Sequence, residues 1–194
     1  MHQGAKTPRS IELTPPAEAM VLRRAGEPLE RMAVPLVTLG RGDVLVRIEL
    51  AVLSVQDADA AVGRRRSFTP VVLGSEGVGH VVALGAGRPP RTPDNLPIKL
   101  GMRVAWEATV SCGRCGACRL GASCSRARQY GSAHVERGWE LSGTLATHVH
   151  LLRRSVIRIA EPVEESGVAF DLLQAGDALD FAARTGRALV RPRR

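Results

Sequence analysis

Residues 69–87 read TPVVLGSEGVGHVVALGAG, and the placing of their glycines decides the fold class. A hydrophobic run, Val71-Val72-Leu73, enters a glycine-rich turn, and VGHVVALG (78–85) leaves it as a second strand. A dinucleotide-binding fold needs a strand, then G-x-G-x-x-G, then a helix inside a βαβ unit. Here Gly74, Gly77 and Gly79 have the wrong spacing, and the run that follows is strand-like. Gly85-Ala86-Gly87 leads directly into prolines. The segment is therefore strand–turn–strand, which points to a mainly β chain with no doubly wound nucleotide domain.

The flanks read the same way. Upstream, AMVLRR and LERMAVP are two short strands joined by the turn-like AGEP. In VTLGRGDVLVRIELAVLSV, Val44, Val46 and Ile48 alternate with Leu45, Arg47 and Glu49, the period of a half-buried strand. QDADAAVG forms a short helix or turn. Downstream, a proline-rich loop (RPPRTPDNLP) precedes KLGMRVAWEATV, and GTLATHVHL and SVIRIA are late strands. Many short strands with glycine turns imply a compact β-barrel or barrel-like sheet. Residues 1–18, polar and rich in Pro and Ala, read as a loose N-terminal arm. Residues 166–185 carry one or two short helices before a final strand, RALVRP.

At 194 residues the chain has room for one domain with tails. It is 44% hydrophobic but only 3% aromatic, so its core must be built from Val, Leu, Ile and Ala. The net charge of +8 comes almost wholly from arginine, clustered at Arg64–Arg66, Arg153-Arg154 and the C-terminus. The aromatics do not interleave with these clusters, so no specific nucleic-acid partner is expected. No apolar run approaches the roughly 20 residues of a membrane span. The N-terminus lacks an apolar signal-peptide core, so the expected location is cytoplasmic.

All four cysteines lie within CGRCGACRLGASC: Cys112, Cys115, Cys118 and Cys124. Four thiolates at this density can surround one tetrahedral ion, with turns at Gly113 and Gly116 freeing backbone N–H groups toward sulfur. A closed four-sulfur zinc site would be structural, not catalytic. A redox dithiol, an iron site and disulfides are the alternatives. Reducing conditions favour metal over disulfides.

These residues resemble the zinc-containing medium-chain alcohol dehydrogenases, over residues 19–162, their GroES-like catalytic domain. GSEGVGHVVALGAG (74–87), LGMRVAW (100–106), the cysteine segment (112–124) and WELSGTLATHV (139–149) carry the likeness. It extends to a bacterial subgroup associated with phosphonate metabolism. The resemblance implies a GroES-like β-barrel with short helices and a cysteine-rich zinc lobe at about 107–130. It assigns the four cysteines to one structural Zn²⁺, although five residues separate Cys118 from Cys124 where the family usually has seven.

The family's catalytic zinc is not matched. Its cysteine ligand falls on Ser54, framed by Asp57 and Gly63, and its Gly-His-Glu histidine falls on Ser75 in Gly74-Ser75-Glu76. The relay hydroxyl falls on Gln56, and no cysteine follows Cys124. Two neutral serines replace a thiolate and an imidazole poorly. Asp57 and Glu76, with His80 nearby, remain as a polar remnant. His134, His148 and His150 stand at no ligand spacing and read as surface or hydrogen-bonded side chains.

After residue 162 only 32 residues remain, too few for the family's nucleotide domain, so NAD(P) is not expected. ALDFAARTGRALVRP (178–192) resembles the helix and closing strand with which the family's chain returns to the catalytic domain. Residues 163–194 are thus expected to complete the same domain, joined near Pro162–Gly167, as a small protein complete in itself. Two functions follow. One is a small-molecule reaction outside the family's hydride transfer, with Ser54, Gln56, Asp57, Ser75 and Glu76 as the residues to inspect. The other is a noncatalytic binding or assembly protein, as a homodimer or with a partner chain over the face the nucleotide domain would cover.

Overall fold

The computed structural model describes residues 8–161 and 169–192. The expected join near Pro162–Gly167 lies outside the described residues. The elements in order are β1 (Arg9–Leu22), β2 (Glu30–Leu39), β3 (Val44–Ser54), α1 (Val55–Ala61), β4 (Val71–Val72), β5 (Glu76–Leu84) and β6 (Arg103–Val110). There follow α2 (Gly116–Arg119), β7 (Arg128–Gln129), β8 (His148–Leu151), β9 (Ser155–Ile159) and β10 (Ala169–Asp171). A 3₁₀ turn (Leu172–Gln174), α3 (Ala175–Thr185) and β11 (Arg187–Arg191) end the described chain.

Two sheets share one core. A three-stranded sheet runs β2-β1-β4. An eight-stranded sheet runs β10-β11-β3-β5-β6-β7, with β8 on β3 and β9 on β6. The sheets are tied where residues 145–147 cross between them: Met20 N–H donates to Leu145 O at 2.8 Å and Thr147 N–H to Glu18 O at 2.8 Å. Buried side chains from both sheets form one cluster, and Val, Leu, Ile and Ala make up most of it.

The expected barrel is not closed. The large sheet ends at β10 on one side and at the two-residue β7 on the other, and these ends do not pair among the described residues. Residues 130–147 run as turns with isolated bridges instead of a continuous ladder. The result is an open half-barrel. The expected loose arm also differs, because Arg9–Leu22 is one long strand against β2. Alternation drives it: Ile11 and Leu13 lie half-buried between exposed neighbours, and Ala17 and Ala19–Leu22 are buried.

The glycines of 74–87 serve packing. A Cβ at Gly77 would fall 2.6 Å from Leu50 O, and one at Gly79 would fall 2.2 Å from Arg47 O. β5 therefore lies so close on β3 that only glycine fits at these two positions. At the other end, α3 buries Ala175, Ala178, Leu179 and Ala182, the i, i+3, i+4, i+7 stripe of a helix laid on a core. It stops at Gly186, whose φ of +93° is the left-handed conformation a helix end favours. β11 then pairs antiparallel with β3 from Ala51 to Ser54.

Candidate metal centre and the serine-substituted site

The chain leaves the sheet after Val110 and returns at Arg128, and this excursion carries all four cysteines. Cys115 is the N-cap of α2 and Cys118 sits in its single turn, so the helix fixes both sulfurs. The Cys118 amide donates to Cys115 Sγ at 3.5 Å, and the Cys112 and Arg126 amides donate to Cys124 Sγ at 3.3 and 3.4 Å. The sulfurs lie within 4.8 Å of one another, with Cys115 and Cys124 at 3.9 Å. Four sulfurs about 2.3 Å from a tetrahedral Zn²⁺ stand about 3.8 Å apart, so the donor set and spacing fit. The shortened Cys118–Cys124 loop still delivers its sulfur to the cluster.

The Cys118 amide and thiol hold the Cys115 thiol down to about 6. The Arg114 and Cys115 amides lower that of Cys112. Burial, with hydrogen bonds to the neighbouring sulfurs, pushes Cys118 up to about 12. Without a cation the Cys118 thiol resists ionising beside its neighbours, and a divalent ion is the partner that favours its thiolate.

The serine-substituted site is a joint between elements. Ser54 ends β3 and caps α1. Asp57 is buried, and its Oδ2 accepts from the Ser54 amide at 2.8 Å and the Ser54 hydroxyl at 2.7 Å. Its Oδ1 accepts from the Gly74 amide at 3.0 Å. The carboxylate therefore ties the end of β3 to the turn before β5. Ser75 contributes its carbonyl, which accepts from Trp106 Nε1 at 3.2 Å. Gln56 is exposed and accepts from Arg65 at 3.1 Å. Glu76 is exposed at the start of β5, opposite Val52. His80 belongs elsewhere: its Nδ1 lies 3.6 Å from Glu49 Oε2. Among the described residues, only the four cysteines form a cluster of metal-ligating side chains. Ser54 and Ser75 offer neutral hydroxyls, which make poor Zn²⁺ ligands.

A buried aspartate–histidine hydrogen bond went unread in the sequence. Asp43 Oδ2 lies 2.9 Å from His150 Nε2 and accepts from the Gly40 amide at 2.8 Å. Oδ1 accepts from the Arg153 amide at 2.7 Å. Burial alone would raise the Asp43 pKa, but the hydrogen bond and charge of His150, with the two amides, outweigh it and lower the value. The turn sequence Gly40–Asp43 was visible, whereas its meeting with His150 follows only from the pairing of Leu45 with His150 across β3 and β8.

Residues 40–161 match the model of the alcohol dehydrogenase GroES-like domain. The chain belongs to that family. It is 28% identical over 175 residues to an L-threonine 3-dehydrogenase of Chelativorans sp. (strain BNC1), covering 85% of this chain and 45% of that protein. It is 31% identical over 151 residues to an L-threonine 3-dehydrogenase of Streptomyces avermitilis, covering 76% and 41%. The crystal structure of an alcohol dehydrogenase from Thermotoga maritima superposes with a TM-score of 0.69 at 26% identity, covering 77% of this chain and 42% of that one. The chain spans less than half the length of these relatives. As a GroES-like domain it keeps the cysteine cluster, a candidate structural zinc site, in a mainly β fold. No described helix is long and apolar enough to cross a membrane.

Proposed function

We propose that this GroES-like domain works by binding, and that it does not run the family's zinc- and nicotinamide-dependent hydride transfer. The observation that carries the reading is the state of Asp57. Its two carboxylate oxygens accept three hydrogen bonds, two of them from Ser54 itself. A carboxylate so engaged holds strand to turn and is poorly placed to move protons for a substrate. Gln56 turns to Arg65 and Glu76 stands exposed, so the five residues do not converge on one reacting atom. The cysteine cluster supplies rigidity to the lobe as a structural zinc site.

A specific observation also favours the assembly form of this reading. Val55, Val62 and Phe68, around α1, are 41%, 51% and 63% exposed. A homodimer or a partner chain seated there would cover them. The phosphonate-metabolism placement rests on sequence resemblance alone, and the comparisons support the family level only.

The test is a metal count joined to cofactor titration. Purified protein should carry one zinc per chain, bind neither NADH nor NADPH at micromolar concentration, and oxidise no alcohol. Two zincs per chain, or nicotinamide-dependent turnover, would overturn the reading.

A further inference from the structure

A cavity of about 710 Å³ lies well along β3 from Ser54, between the middle of β3, the bend of β1 at Leu13–Pro16, the start of β8, and the β10 and β11 strands. That volume is within the range of small-molecule sites, roughly 300–1,000 Å³. Its shape follows from the strands. β1 loses register with β2 between Glu12 and Ala17, which sets Leu13–Pro16 apart as a wall. Ile48 and Phe170 add apolar surface to it.

The polar side is unusual. Arg47 on β3 is opposite His148 on β8 and opposite His80 on β5. His80 is in turn opposite Arg103 on β6. Four basic side chains thus form one row across four strands, where directly opposed like charges are destabilising. One carboxylate offsets part of the row: Glu49 Oε2 lies 2.9 Å from Arg103 Nε and 3.6 Å from His80. Asp171 and Arg191 also line the cavity. Arg47 is exposed and has no hydrogen bond or ion pair among the described residues. His148 bonds Thr147 through Nδ1 at 3.0 Å, and its Nε2 has no partner among the described residues. Burial, with the charge of Arg47, lowers the His148 pKa to about 4. Arg47, with His148 opposite it and the apolar wall beside them, makes a part of the cavity suited to an anion, on the side away from Glu49, which is held by Arg103.

We propose that this cavity binds a small organic oxyanion, a carboxylate or phosphate monoester with an apolar body, held by Arg47 and His148 with the body against Ile48 and Phe170. The site lies apart from the Ser54–Asp57 joint. It deepens the binding reading above and rests on it.

The experiment is calorimetric titration of the zinc-loaded protein with phenyl phosphate, benzoate, inorganic phosphate and benzyl alcohol, with the His148 ring protons followed by NMR. Phenyl phosphate or benzoate should bind at sub-millimolar concentration and shift the His148 signals. Benzyl alcohol should fail, and inorganic phosphate should bind more weakly for want of an apolar body. Arg47→Gln should weaken binding by about tenfold or more, the loss of a charge-assisted pair. Arg24→Gln, in an exposed ion pair with Glu27, should leave binding unchanged. Phe170→Ala should weaken phenyl phosphate and leave inorganic phosphate unchanged. The site is overturned if neither aromatic anion binds at millimolar concentration, if Arg47→Gln binds as well as the parent, or if the His148 signals do not move. Such a failure with one zinc and no turnover would sink the site alone, whereas nicotinamide-dependent turnover would sink the binding reading.

Discussion

At the scale of the residue, two histidines two positions apart on β8 meet opposite fates. His150 points inward to Asp43, and His148 faces the cavity. Asp43 and His148 shape the acid limb of the stability curve. Asp43 is lowered in the fold, so the native state holds its proton less tightly than the unfolded chain. Its contribution is present above the unfolded carboxylate pKa of about 3.9 and is lost as pH falls through the lower folded value. His148 is also lowered, to about 4. The unfolded chain therefore takes up that proton first, and stability falls as pH drops from about 6.5 to about 4, then levels. The groups facing His148 are Arg47, Thr147 and, across the row, His80 with Glu49. His148→Asn should flatten the pH dependence of the unfolding free energy between those pH values by up to about 3 kcal/mol, read in urea melts at fixed ionic strength. Asp43→Ala should cost about 3–5 kcal/mol at neutral pH, because it leaves buried His150 and two amides without their acceptor.

At the scale of the element, the parts legible in sequence were those set by local chemistry. The cysteine cluster could be read because its ligands fall within thirteen residues and α2 needs only one turn to bring them together. β3 showed in the alternation from Val44 to Glu49, and β5 in VGHVVALG. Strand register could not be read, and register is what brings His148, Arg47, His80 and Arg103 into one row and Asp43 beside His150. The same limit explains why residues 1–18 read as an arm: Arg9–Glu12 pairs with Leu36–Leu39, roughly 27 residues away, and a polar sequence with prolines at 15 and 16 gives little local sign of it. Two predictions belong here. Gly79→Ala should destabilise the fold by about 1–3 kcal/mol, because the new methyl meets the Arg47 carbonyl and has no flexible neighbour to displace. Cys124→Ser, or exhaustive chelation, should release the zinc and lower the melting temperature. Far-UV circular dichroism should change little, since α2 and β7 are the only regular elements in the lobe between Val110 and the loop after Gln129.

At the scale of the whole molecule, the central strand draws its neighbours from distant parts of the chain. β3 meets β5 along one edge, and along the other it meets β8 through Val44–Arg47 and β11 through Ala51–Ser54. The serine-substituted site hangs from this arrangement. Ser54 pairs with Arg187, and the Val55 amide donates to Gly186 O at 3.1 Å, so the C-terminal segment helps fix the end of β3 that carries Ser54 and Asp57. α3 then packs its buried stripe against α1 and β3. The sequence showed α3 and β11 as a helix and a strand, but the edge they would cover lies more than a hundred residues earlier and had no local signature. Removing residues 162–194 would expose the N–H and C=O groups of Ala51–Ser54 on an apolar strand, and the faces that Ala175, Leu179, Ala182 and Val190 now bury. The truncated chain should therefore lose its cooperative melt and scatter light as an aggregate, even with zinc bound at the distant lobe. A truncated chain that stayed monomeric and melted with the parent's midpoint would show that the C-terminal segment is an appendage, and that the joint at Ser54 holds without it.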